Sequence, residues 1–147
     1  MRINMRFEGL FFDSPKVIHA VDKATYKVLV RFGQYVRKVA RHSIRARKGP
    51  SAPGQPPHSQ TGLLKSFIYY GFNPAQRSVV VGPARIQGAQ SYGPMTVPEL
   101  LEKGGIVRGR DGKMHRYEAR PYMAPAFERS KEEKLDELWR DSIKKYG

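Results

Sequence analysis

From Ser14 onward the apolar positions return every three or four residues: Val17, Val21, Ala24, Val28, Phe32, Val36 and Val39, then Ser43, with Ile18, Thr25, Leu29 and Ala40 flanking the same stripe. That period is the 3.6 residues of an α-helix with one buried face. Ser14 followed by Pro15 predicts its start, because a serine hydroxyl can accept a free backbone N–H and a proline at the first helical position gives up a donor that has no partner there. Lys16, Lys23, Lys27, Arg31, Arg37, Lys38, Arg41 and Arg45 fall opposite the stripe, and the helix, about eight turns long, should end near Ala46 to Lys48, before Gly49-Pro50.

The pattern then breaks. Gly49 to Gly62 holds four Pro and three Gly in fourteen residues, which no helix or central strand tolerates. An extended, partly mobile arm is expected there, with Pro50, Pro53, Gly54, Pro56 and Pro57 reaching a neighbouring subunit, since a loop of this length in one domain usually carries function. Gly62 to Phe72 opens with a short turn and continues as an aromatic strand, Asn73 to Gln76 turns, and Arg77 to Gly82 returns, which reads as a β-hairpin. Val97 to Lys103 reads as a short helix stopped by Gly104-Gly105. A second hairpin is expected at Ile106–Arg110 and Lys113–Glu118, with Asp111-Gly112 as a tight two-residue turn. Pro121 and Pro125 flank the start of a C-terminal helix, roughly Met123 to Lys145, whose inward side draws on Phe127, Leu135, Leu138, Trp139 and Ser142, with Lys131 and Lys134 interrupting the stripe. The expected fold is therefore α+β: one domain over 1–147, with the two long helices packed on a small antiparallel sheet of about four strands.

Composition narrows the classes. At 147 residues and 39% hydrophobic, the chain can bury one core, and with no cysteine it has no disulfide, thiolate zinc site or cysteine nucleophile. No segment approaches the length of a membrane span, and the N-terminus lacks a signal-peptide apolar region, so the cytosol is the expected place of synthesis and no membrane partner is expected. The formal net charge is +14, and residues 14–48 hold ten Lys or Arg against Asp22 alone. Lys27, Arg31, Lys38, Arg41 and Arg45 form the candidate partner-binding face. Such a face is either a solvated exterior or a contact surface for phosphate or a carboxylate-rich protein.

Candidate chemistry is sparse. His19, His42, His58 and His115 fall on different predicted elements, and none has a second His or acid at the spacing of H-E-x-x-H. Neither G-x-x-x-x-G-K-[ST] nor G-x-G-x-x-G occurs, and Ser91 misses the G-x-S-x-G elbow by one residue. Glu99 with Glu102, and Glu128, Glu132, Glu133, Asp136 and Glu137 among lysines, read as solvated helix faces. Glu132-x-Lys134 with Asp111 upstream matches the acid and E-x-K spacing of some nucleases, on a predicted helix rather than a strand. No catalytic residue, cofactor or metal ligand is assigned.

The order of features carries more than any single motif. A basic amphipathic helix is followed by Pro50-Ser-Ala-Pro-Gly-Gln-Pro-Pro57, Thr61-Gly-Leu-Leu-Lys-Ser-Phe-Ile68, a Val-rich strand closed by Val81-Gly-Pro83, and Ala119-Arg-Pro-Tyr-Met-Ala-Pro-Ala-Phe127 leading into a last helix. This set resembles the tail-completion, or neck, proteins of long-tailed bacteriophages from about Val17 onward. The chain departs from that family at Val97-Pro-Glu-Leu-Leu-Glu-Lys-Gly-Gly105, where only Glu102-Lys-Gly104 keeps the family's shape. The resemblance implies a structural virion protein rather than an enzyme, placed at the head–tail junction as a homo-oligomer commonly built as a hexameric ring. It meets the head connector or adaptor and the tail tube, and DNA passes through the ring. Beside it stands a second reading, a basic nucleic-acid-binding module with Phe67, Tyr69, Tyr70 and Phe72 as a stacking platform.

Overall fold

The first long helix, α1, runs Pro15–Ser43, in a computed structural model that describes residues 2–4, 15–84, 91–92 and 95–146, with side chains over 21–84 and 95–145. The expected Ser14 cap and the side chains of Lys16, Val17, Ile18, His19 and Ser91 lie outside the described residues. Along α1 the buried positions are Thr25, Val28, Leu29, Phe32, Gly33, Val36 and Ala40, the spacing of three and four that places them on one side. The helix ends at Ser43 rather than at Ala46 to Lys48. Ile44 turns into the core at 1% exposure, and Arg45 leaves the helix to bridge His58, with the Ser59 amide donating to the Arg45 carbonyl at 3.0 Å.

After the arm come α2 (Leu63–Ser66), β2 (Ile68–Asn73) and β3 (Ser78–Pro83). The last two form the expected hairpin, with Asn73 opposite Ser78. Its other edge is filled by β1 (Arg2–Asn4), antiparallel to β3. Val79, Val81 and Ile68 bury their side chains towards α1. Gly33 makes that approach possible, since a Cβ there would sit 2.6 Å from Val79 Cγ2.

Beyond the two-residue strands β4 (Ser91–Tyr92) and β5 (Met95–Thr96), α3 (Val97–Lys103) and the hairpin of β6 (Gly105–Arg108) and β7 (Met114–Tyr117) follow. The four strands of the two expected hairpins are present, but the hairpins lie in separate sheets, β1-β3-β2 and β6-β7, with β4-β5 as a third pair. The second turn is wider than two residues. The Gly109 amide bonds the Lys113 carbonyl at 2.8 Å, the Gly112 amide returns to the Gly109 carbonyl at 3.0 Å, and Gly112 has φ 77°. A two-residue type I′ turn needs positive φ at both central positions, and Asp111 does not adopt it.

The C-terminal helix comprises α4 (Met123–Ser130), a π-helical turn at Lys131–Leu135 and α5 (Asp136–Tyr146). The wide turn resolves the interrupted stripe. Met123, Ala126 and Ser130 are buried on one face, and an unbroken α-helix would carry that face to Lys134 and Glu137. The extra residue held in the π turn rotates the phase by one position, so that Leu135, Leu138 and Trp139 meet the core instead. α1 thus packs on the sheet along one flank and on α4 and α5 along the other, where Phe32 and Phe127 meet edge to face at 5.9 Å.

Candidate partner-binding groove

The Pro-rich arm is not free-standing. The Gly54 amide donates to the Ala119 carbonyl at 2.8 Å, Arg120 Nε donates to the Ser51 carbonyl at 2.9 Å, and Ser51, Pro57 and Ser59 are buried. Arg120 also ties its own amide to the Leu101 carbonyl at 2.6 Å, so one residue joins the arm to α3. Glu102 completes the clasp. Its Oε2 accepts the amides of Tyr122 and Met123 at 3.0 and 3.1 Å, and its Oε1 accepts that of Ala124 at 2.8 Å. These are free N–H groups at the start of α4, where no side chain of the helix's own N-cap serves them. Tyr122 beside them is buried, and burial followed by the nearby Glu102 charge pushes its phenol far above the ordinary tyrosine range.

With the arm held this way, a groove of about 710 Å³ opens between the C-terminal half of α1, the arm and the first turns of α4. Lys38, His42 and Arg45 line it from α1 and its exit, Ala52, Gln55, Pro56 and His58 from the arm, and Tyr122, Pro125, Ala126 and Arg129 from the start of α4. No carboxylate lines it. Arg129 is matched: its Nε donates to Glu133 at 2.7 Å, and the Tyr35 hydroxyl donates to the other oxygen at 3.0 Å. These bonds, Arg129 first, hold the Glu133 carboxyl below its usual range. Lys38 and Arg45 are exposed and, among the described residues, have no carboxylate partner. His42 Nδ1 lies 2.7 Å from the Lys38 carbonyl and His58 Nδ1 lies 3.3 Å from the Gly49 carbonyl. A carbonyl only accepts, so both imidazoles carry the proton on Nδ1 in these bonds.

Of the expected partner-binding face, Lys38 and Arg45 line the groove, together with Pro56 of the arm. Lys27, Arg31 and Arg41 lie elsewhere on α1, with Arg31 exposed and the other two half-buried. Arg37, expected on the outer face, instead reaches back across the helix and donates its Nε to the Ile68 carbonyl at 2.6 Å. Pro50, Pro53 and Gly54 are exposed, whereas Pro57, expected on the docking arm, is fully buried within its own chain. Of the four aromatic residues considered for stacking, Tyr70 and Phe72 pack against the core and Phe67 is half-buried, leaving Tyr69 at 51% exposure. Sequence reasoning missed Tyr35, Tyr122 and Arg129 as groove residues and Glu102 and Arg120 as the clasp. The available signal was the spacing of Lys38, His42 and Arg45 on one face of the helix that the sequence predicts. Among the described residues no group of three His, Asp or Glu side chains converges as a metal site would, and no helix is long and apolar enough to cross a membrane.

No protein-family model, no curated protein and no solved structure matches the chain.

Proposed function

We propose that this protein is a structural subunit of a tailed-bacteriophage virion, assembling as a ring, commonly a hexamer, at the head–tail junction. There it completes the tail or joins it to the head connector, with DNA passing through the ring. The observation that carries the reading is the ordered motif set, two parts of which meet in space: the Pro50–Pro57 arm is tied to Ala119 and Arg120 of the Ala119–Phe127 segment. Further support comes from the β6-β7 hairpin, where Ile106 and Met114 stand 62% and 63% exposed. A two-stranded ribbon is marginal alone in water, and a neighbouring subunit would cover such a surface.

A nucleic-acid-binding module is the second reading. It is favoured by Arg31, Lys38 and Arg45, exposed cations that recur at a regular spacing along α1 and its exit. The half-buried state of Phe67, Tyr70 and Phe72 weighs against it, because a base-stacking platform needs exposed rings.

Removing the protein from a phage that encodes it tests the neck reading. Filled heads and separate tails that fail to join are expected, and normal joining in its absence overturns it.

A further inference from the structure

We propose that the groove receives an extended acidic segment of a different protein, with Lys38 and Arg45 pairing its carboxylates. The inference rests on the reading of this chain as an assembly component, since it takes the occupant to be a protein. Three features of the groove point to this occupant.

The first is charge. Lys38 and Arg45 bring two positive charges to a wall with no carboxylate, while the third cation, Arg129, is already neutralised by Glu133. Unmatched cations along a concave groove focus their field and attract carboxylates more strongly than the same cations on a flat surface. The second is the rest of the wall. Val39, Pro56, Pro125 and Ala126 are apolar and line the same groove as the charged positions. An extended peptide presents side chains alternately to two sides and so offers acidic groups to the cations and apolar groups to the prolines. A nucleic-acid backbone offers charge at every step and no apolar side chain for that wall.

The third feature favours a different protein over a second copy. Among the described residues this chain offers no extended acidic segment: Asp22, Asp111 and Glu118 are paired with Arg77, His115 and Arg116, and the other acids lie on α3 and the C-terminal helix. An extended run of carboxylates is therefore sought on another protein.

The test uses fluorescence anisotropy with two labelled probes on the full chain: a synthetic peptide of alternating Glu and Leu, and a short duplex DNA of equal net charge. The wild-type protein is expected to bind the peptide more tightly than the DNA at physiological ionic strength. Lys38→Gln with Arg45→Gln should weaken peptide binding by about tenfold or more. Arg31→Gln with Arg108→Gln, which removes equal charge outside the groove, should leave it within about twofold. Lys38 and Arg45 are exposed, so both double variants should fold, as circular dichroism would verify. Absence of peptide binding, equal weakening by both double variants, or tighter binding of the DNA through Lys38 and Arg45 would overturn the proposal. If peptide binding depends on Lys38 and Arg45 but head–tail joining proceeds without the protein, the neck reading fails and the groove assignment stands. If joining needs the protein but the peptide does not bind, the reverse holds.

Discussion

Glu102 caps the C-terminal helix from across the chain, its Oε1 accepting the Ala124 amide at 2.8 Å while its other oxygen takes the two preceding amides. A carboxylate bonded to free N–H groups at a helix start gains from both the hydrogen bonds and the helix dipole. Glu102→Ala should therefore cost about 1–2 kcal/mol. Lys103→Ala, exposed on the same short helix, should fall within about 0.5 kcal/mol of wild type. Urea denaturation of the two variants measures both, and equal stabilities would contradict the capping role.

Gly33 faces Val79 where α1 crosses the sheet, and the modest helix propensity of glycine is the condition of that contact. In an open helix Gly→Ala stabilises by about 1 kcal/mol. Here the added methyl would lie 2.6 Å from a stiff, branched side chain, so Gly33→Ala should destabilise by about 1–3 kcal/mol instead. Val79→Ala in the same chain should recover part of that loss, giving a non-additive double-mutant cycle by thermal denaturation.

The π turn makes a prediction that a regular helix would not. Deleting Glu132, which is exposed, removes the extra residue and leaves Leu135, Leu138 and Trp139 on the face set by Ala126 and Ser130. The deletion should change the melting temperature by no more than about 4 °C. Deleting exposed Asp136, beyond the bulge, can be absorbed only by unwinding the same turn and turns Leu135 away from the core, so it should cost more.

In the β6-β7 loop, the Asp111 carboxyl lies 2.9 Å from His115 Nε2 and 3.0 Å from the Lys113 amide. These bonds, His115 first, hold its titration below the usual aspartate range. A carboxyl depressed by folding contributes order that is present above its unfolded pKa and lost as pH falls through its folded pKa. Carbon-detected NMR should show Asp111 titrating below the ordinary range, and His115→Phe should move it upward. An unchanged titration would mean that the ring contact has no hold on the loop.

Much of this architecture was legible from residue periodicity. The stripe from Val21 to Ala40 placed α1, and proline and glycine punctuation placed both hairpins and the start of α4. What escaped depends on distant backbone groups. The arm is anchored by Gly54 on Ala119 and by Arg120 on Ser51, contacts within its own chain that local composition does not report. The π turn hid the phase of the last helix, because no residue type marks it. The groove was half visible, as Lys38 and Arg45 on one face of the helix that the sequence predicts. Its other walls come from the arm and from Tyr122 to Arg129, which meet α1 only in the folded chain.

The central claim is that this protein joins heads to tails, and an in vitro joining assay addresses it most directly. Heads and tails purified from particles made without the protein are mixed with increasing amounts of the purified chain, and joined particles are counted by electron microscopy and by infectivity. The account predicts that joining rises from near background and saturates at a ring's worth of subunits per particle. Joining that is already complete without the protein, or that stays at background at saturating protein, would contradict it.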